Sequence, residues 1–125
     1  LRETNDAAAR IYPAGLWLAG RVTVVVGGGT IAQRRVAGLR AASADVTVIA
    51  PELTTALEAM AEASELRWLR RGYREGDLAE AWYVVAATDD AAVNAAVAGE
   101  AERRRVFCSR ADDARDSSAW TPAVG

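Results

Sequence analysis

An α/β fold, a parallel sheet with helices on both faces, is predicted by three observations. Short valine-rich runs recur at Val22–Val26, Val46–Ile49 and Trp82–Ala87, each of the length and composition of a strand buried on both sides. Stretches with helical spacing of apolar residues lie between the runs, so strands alternate with helices. A glycine triplet, Gly27, Gly28 and Gly29, separates the first strand from the first helix. Right-handed crossovers then make 3-2-1-4-5 the natural strand order, with a sixth strand expected at the end of the chain. The 125 residues suit one Rossmann-like domain.

Residues 1–11 form a lead-in. It is polar and alanine-rich as far as Arg10, and both a loose end and a short helix are open for it. Ile11–Leu18 is apolar, is broken by Pro13 and Gly15, and is expected to lie across the sheet edge. Ala19–Arg21 turns into the first strand. In the first helix Ile31, Ala32, Val36 and Leu39 fall at helical spacing, with Arg35 out of pattern. Ala42–Asp45 ends that helix, and Pro51 closes the second strand because proline cannot continue a central ladder. Leu53–Ala63 is the second helix, with Leu57, Met60 and Ala61 on one face and Thr54 or Thr55 as its cap. Leu66–Arg70 alternates and reads as an edge strand. Arg70, Arg71 and Arg74 read as a solvated rim, and Gly76–Glu80 as a short turn of helix. After the fourth strand, Asp89 or Asp90 caps a helix over Ala91–Arg105 whose inward residues are Val93, Ala96, Val97 and Ala101. Arg103–Arg105 then lies where the helix dipole favours cations. Val106–Cys108 is a short fifth strand, Ser109–Ser118 a polar loop, and Ala119–Val124 the start of a sixth strand.

Composition removes whole classes of chemistry. All 15 basic residues are arginine, and the chain has neither lysine nor histidine. Schiff-base lysines, the phosphate-loop lysine, serine–histidine couples and imidazole metal ligands are therefore excluded. Acid–base work falls to carboxylates, tyrosines or Cys108. A lone cysteine cannot form an internal disulfide and fits a reducing cytoplasm. The net charge of −2 offers no basic surface for nucleic acid, and no apolar run approaches the length of a membrane span. The chain starts at Leu1 rather than Met and stops inside an expected strand, as a fragment of a longer protein would.

In a parallel sheet the carboxyl ends of the strands share one edge, and ligands bind there at the switch between strands 1 and 4. The pattern Gly27-x-Gly29-x-x-Ala32 between strand and helix is the arrangement a dinucleotide diphosphate needs: free N–H groups, a favourable dipole and no side chain in the way. A bare βα turn is the competing reading. The tip of the second strand, Ala50 and Pro51, carries no acid for the ribose hydroxyls and no arginine for a 2′-phosphate. Glu52 comes slightly late and reads equally as a helix-start carboxylate. The pattern points to NAD held through Ala50–Glu52, with Ala87 and Thr88 beside the nicotinamide half. The acidic loop Asp112, Asp113 and Asp116 offers a base. Burial against an apolar ligand would raise such a carboxylate's pKa, whereas a solvated turn is its ordinary role.

The segments Val25–Arg35, Asp45–Pro51 and Val85–Asp90 with Val93-Asn94, then Arg104–Ser109 and Asp112, resemble the N-terminal module of sirohaem synthase, the precorrin-2 dehydrogenase/sirohydrochlorin ferrochelatase family. The resemblance runs from about Tyr12 to the last residue. It implies NAD-dependent oxidation of precorrin-2 to sirohydrochlorin, with Fe²⁺ insertion in many members. It places the family's carboxylate base on Asp112, and its cofactor contacts on Thr30, Ile31, Pro51 and Glu52. It further implies a homodimer, whose dimerisation region and tail would lie beyond Gly125. Asp113 and Ser109 depart from the family's usual small residue and asparagine. Arg110 and Arg115 could hold the carboxylates of a precorrin, against a plain role in loop solubility. A non-catalytic NAD-binding regulatory module is the alternative; it would leave Asp112 without a role.

Overall fold

The computed structural model describes residues 10–112. Five strands, β1 (Val22–Val26), β2 (Asp45–Ile49), β3 (Arg67–Leu69), β4 (Tyr83–Ala86) and β5 (Phe107–Arg110), pair in the order β3-β2-β1-β4-β5. Every pairing is parallel. Three helices, α1 (Thr30–Ala41), α2 (Thr55–Glu62) and α3 (Ala91–Arg104), connect them. The expected order is thus the observed one. The expected sixth strand lies outside the described residues, as do Asp113, Arg115 and Asp116.

Alternation along each strand divides the core in two. Val25, Val46, Val48 and Val85 pack with Ala32, Val36 and Leu39 of α1 and Leu57 of α2. Val24, Val26, Val84 and Ala86 pack on the other face with Val97 and Ala101 of α3, Leu78 and Cys108. Each fully buried valine contributes roughly 1.5–3 kcal/mol relative to exposure. Of the expected inward residues of α3, Val97 and Ala101 are buried and Val93 is half-buried, but Ala96 faces solvent. The buried face of α3 is completed instead by two polar residues, Asn94 and Glu100. Ile31 also leaves the core and is 46% exposed.

Register fixes where the strand tips lie. Val26 pairs with Ile49 and with Ala86, Ile49 with Leu69, and Ala86 with Arg110. The last residues of all five strands therefore lie side by side, and the segments that follow them emerge along one edge. β5 runs two residues past its expected end because Ser109 and Arg110 pair with Val85 and Ala86. Gly76–Glu80 is a series of turns rather than a helix. Gly76 has φ +100, and the Asp77 carboxylate accepts from the Arg74 backbone N–H at 2.8 Å and from both terminal nitrogens of Arg71 at 2.9 Å. Arg71 is thereby a clamp, not part of a solvated rim. Arg105 ends α3 in the left-handed region, and no helix among the described residues is long and apolar enough to cross a membrane.

Candidate functional site

The glycine turn joins three strand tips. Gly27 is buried, with φ +128; a Cβ there would lie 2.3 Å from the Ala87 carbonyl oxygen. Only glycine lets the turns after β1 and β4 touch. Gly28 performs the same service toward β2: its Cβ would lie 2.0 Å from the Glu52 carbonyl oxygen and 3.0 Å from the Ala50 Cβ. The Thr54 backbone N–H donates to the Gly28 carbonyl at 2.9 Å, and the Thr54 hydroxyl donates to Gln33 Oε1 at 2.7 Å, which ties the turn after β2 to α1. Gly29 differs from both. A Cβ at Gly29 would meet nothing within 4 Å, and its backbone is extended.

The helix that follows is open at its start. The first N–H groups of any α-helix have no acceptor within the helix. At α3 the Asp90 carboxylate accepts from Ala92 and Val93, and at α2 the Thr54 hydroxyl accepts from Leu57. The cap of α1 is Gly29, which has no side chain to accept, and its first turn holds no acidic residue. Thr30 and Ile31 are exposed beside it. An open flank, uncapped amides and an unopposed dipole fit a dinucleotide diphosphate. Pro51 and Glu52 are exposed at the β2 tip above a buried Ala50, whose carbonyl accepts from Trp68 Nε1 at 2.8 Å.

The other half of the edge is polar and tightly bonded. The Thr88 backbone N–H donates to Asn94 Oδ1 at 3.0 Å, and its hydroxyl donates to the same oxygen at 2.7 Å. Asn94 Nδ2 returns a bond to the Thr88 carbonyl at 3.0 Å. The polar groups of Thr88 thus already have partners within the chain. The Ala111 N–H donates to the Ala86 carbonyl at 2.9 Å, which fixes the turn after β5 to the β4 tip. Asp112 follows at once, an exposed residue whose side chain is 30% exposed, with its carboxylate held by Arg110 Nε at 3.2 Å and Nη2 at 3.1 Å. The Arg110 guanidinium, bonded to it, holds the Asp112 carboxyl below the usual carboxylate range. A charged partner outweighs burial at this position, and the upward shift expected on burial against an apolar ligand is absent from the ligand-free chain. Arg110 spends its fork on Asp112 rather than on loop solubility.

A concavity of about 360 Å³ bounded by Arg40, Asp45, Glu65 and Arg67 lies at the amino ends of β2 and β3, away from this edge. It brings together neither the glycine turn nor Asp112. The glycine turn and Asp112 both lie at the carboxyl edge, where a dinucleotide would rest along the strand tips rather than fill a closed cavity.

Residues 15–123 match the family described as "Putative NAD(P)-binding". The chain belongs to this NAD(P)-binding family. It is 42% identical over 113 residues to a siroheme synthase of Chromobacterium violaceum, covering 90% of this chain and 24% of that protein. It is 38% identical over 104 residues to siroheme synthase 1 of Serratia proteamaculans, covering 83% of this chain and 22% of that one. Among solved structures it is similar to "SirC, precorrin-2 dehydrogenase", with a TM-score of 0.78, 33% identity, and coverage of 90% of this chain and 55% of that chain. The chain thus spans about a quarter of the length of these curated relatives and about half of the SirC chain. The resemblance read from the motifs, the Rossmann-like fold and NAD as the cofactor of this family domain all stand. Two residues of the edge carried no role in the sequence reading, Gln33 and Asn94. The Val93-Asn94 pair was visible as a motif, but only the fold shows what the carboxamide holds.

Proposed function

We propose that this chain is the NAD-dependent dehydrogenase module of a protein that oxidises precorrin-2 to sirohydrochlorin. The observation that carries the reading is the placing of Asp112. It is bonded through its neighbour Ala111 to the β4 tip, one turn away from the glycines that would seat the diphosphate. Gly27, Gly28 and Gly29 shape that seat, while the backbone amides of Thr30 and Ile31 would hold the diphosphate and Ala50, Pro51 and Glu52 would receive the adenosine half. Ala87 and Thr88 would border the nicotinamide half. NAD, when bound, supplies the hydride acceptor. Asp112 does the remaining work. As hydride leaves the macrocycle, positive charge develops on it and its remaining proton becomes acidic. A carboxylate that Arg110 keeps ionised at neutral pH can accept that proton.

For the whole protein the resemblance extends this reading to Fe²⁺ as a second substrate, with Asp112 collecting pyrrole protons, to a homodimer and to the cytoplasm. The test is direct. The purified chain is mixed with NAD⁺ and precorrin-2, and NADH is followed by absorbance. Asp112→Ala is expected to lower the rate roughly 10²- to 10⁴-fold, the usual worth of a positioned base. Turnover unaffected by Asp112→Ala would refute the assignment. NAD binding without turnover would leave a regulatory NAD-binding module or a fragment whose site is incomplete.

A further inference from the structure

The tip of β2 carries no arginine of its own, but the sheet brings one to it from β3. Ile49 pairs with Leu69, and the Ala50 N–H donates to the Leu69 carbonyl at 3.2 Å. Arg70, the next residue along, therefore stands beside the turn that begins at Ala50 and Pro51. Its guanidinium carbon lies 5.2 Å from the centroid of the Trp68 ring. That ring is itself anchored to the β2 tip, because Trp68 Nε1 donates to the Ala50 carbonyl at 2.8 Å. Trp68 is half-buried against the core beneath α1 and α2, whereas Arg70 is exposed. Among the described residues no carboxylate pairs with Arg70. Its neighbour Arg71, by contrast, spends two nitrogens on Asp77. Stacking on an aromatic face holds a guanidinium without using its N–H donors. The fork of Arg70 is thus steadied by the indole and left open to an anion, and a phosphate is the anion that matches it.

We propose that Arg70, carried on Trp68, is a specificity-determining residue at the adenosine end: it takes the 2′-phosphate of NADP⁺, so that the chain binds NADP⁺ beside NAD⁺. The proposal rests on the reading that a dinucleotide lies along the strand tips with its adenosine ribose over Ala50–Glu52. The two cofactors differ only at the 2′-oxygen of that ribose. A carboxylate at the end of the second strand would hold the ribose hydroxyls and repel a 2′-phosphate. Alanine and proline occupy that tip here, so the repulsion is missing, and the compensating cation comes from the neighbouring strand. Glu52, one position further, is the opposing charge and sets the balance between the two cofactors.

Calorimetric titration with NAD⁺ and with NADP⁺ tests this on the native chain, Arg70→Gln and Arg70→Ala. The glutamine variant keeps a stem over the indole and removes only the charge. The native chain should bind both dinucleotides. Both variants should lose roughly 10-fold in affinity for NADP⁺, the usual worth of a hydrogen bond to a charged group, and keep their affinity for NAD⁺. A purely structural role for Arg70 would weaken the two dinucleotides alike. Native binding of NAD⁺ without NADP⁺ would overturn the proposal, as would equal losses for both dinucleotides or an NADP⁺ affinity that the variants leave unchanged. Gly29→Ala tests the underlying seat, since it should weaken both dinucleotides together. Unchanged affinity in Gly29→Ala would refute the seat on the glycine turn, while a loss confined to NADP⁺ in the Arg70 variants would still establish Arg70 as the phosphate ligand.

Discussion

Replacing Gly29 by alanine separates binding from folding at the glycine turn. Gly29 has φ −91 and ψ −162, a backbone that alanine adopts without strain, and its added Cβ would meet nothing within 4 Å. Two small effects on stability oppose each other. Alanine restricts the unfolded chain, a gain of about 0.4–1 kcal/mol. It is also a poorer cap than glycine by a similar amount. Gly29→Ala should therefore melt within a few degrees of the native chain. Its effect on the cofactor is different. A diphosphate seated on the amides that follow Gly29 approaches the bare α-carbon, and a methyl group there forces it back. Overpacking of this kind costs about 1–3 kcal/mol, roughly a 5- to 150-fold loss of affinity. Calorimetric titration with NAD⁺, beside a thermal melt, reads both quantities. Native affinity in Gly29→Ala would show that the dinucleotide does not rest on this turn. A large loss of stability would show that the open flank of Gly29 has been misread.

Glu100→Ala removes the buried acceptor of the Tyr73 hydroxyl, the Gly76 and Leu78 N–H groups at 3.1 and 3.3 Å, and Arg104 Nε at 2.6 Å; a loss of about 3–5 kcal/mol is expected in urea unfolding, and a smaller one for Glu100→Gln. The bond from Arg71 lowers the folded pKa of Asp77, so its contribution is complete above the unfolded value near 3.9 and is lost as pH falls through the depressed folded value; acid unfolding of Asp77→Asn should lack that component. Burial pushes the Cys108 thiol up to about 11, so iodoacetamide at pH 8 should leave the folded chain unlabelled and label it quickly in urea. Gly27→Ala, which strikes the Ala87 carbonyl, should move the NMR titration of Asp112, whereas Gly28→Ala, which strikes the turn after β2, should lower stability by about 1–3 kcal/mol and leave that titration in place.

The sheet was readable because its strands are short, valine-rich and separated by helical spacing. Val24 and Val25 point to opposite faces yet both are buried, as the continuous apolar run required. What escaped was carried by polar residues whose burial no periodicity reports. The spacing rule placed Ala96 inside α3 and passed over Glu100, but the helix turns Glu100 inward to hold the Tyr73–Leu78 segment, and Ala96 outward. Gly76–Glu80 looked helical until Asp77 was seen to gather Arg71 and the Arg74 N–H, which coils the chain around a carboxylate. Ile31 fitted the core pattern and is exposed instead, which suits a residue beside a bound cofactor better than one in a core. At the site, the glycine turn and the strand tips were legible because their positions follow from backbone geometry. The Asp112 carboxylate was placed by family resemblance, and the direction of its pKa shift required Arg110 in view.

The three glycines divide their work by what each touches, and this division ties the binding half of the edge to the chemical half. Gly28 sets the turn after β2 against α1, where the proposed seat would take the adenosine side. Gly29 leaves the flank of the helix start open, where the diphosphate would lie. Gly27 lets the β4 tip come within contact of the turn, and the β4 tip carries Thr88. Thr88 is bonded to Asn94, and Ala111, next to Asp112, is bonded to the Ala86 carbonyl of the same tip. A ligand drawn onto the amides of α1 would therefore lie at a distance from Asp112 that the paired strand tips set. A carboxylate on a free loop would have to find the reacting atom anew in each turnover. Here its register is set by the same pairing, Val26 with Ala86 and Ala86 with Arg110, that builds the sheet. Positioning of this kind reduces the reorganisation needed for proton transfer. On the proposal that Asp112 is the base, this positioning also suits a carboxyl held below its usual range: where geometry is fixed, availability of the ionised form matters more than intrinsic basicity.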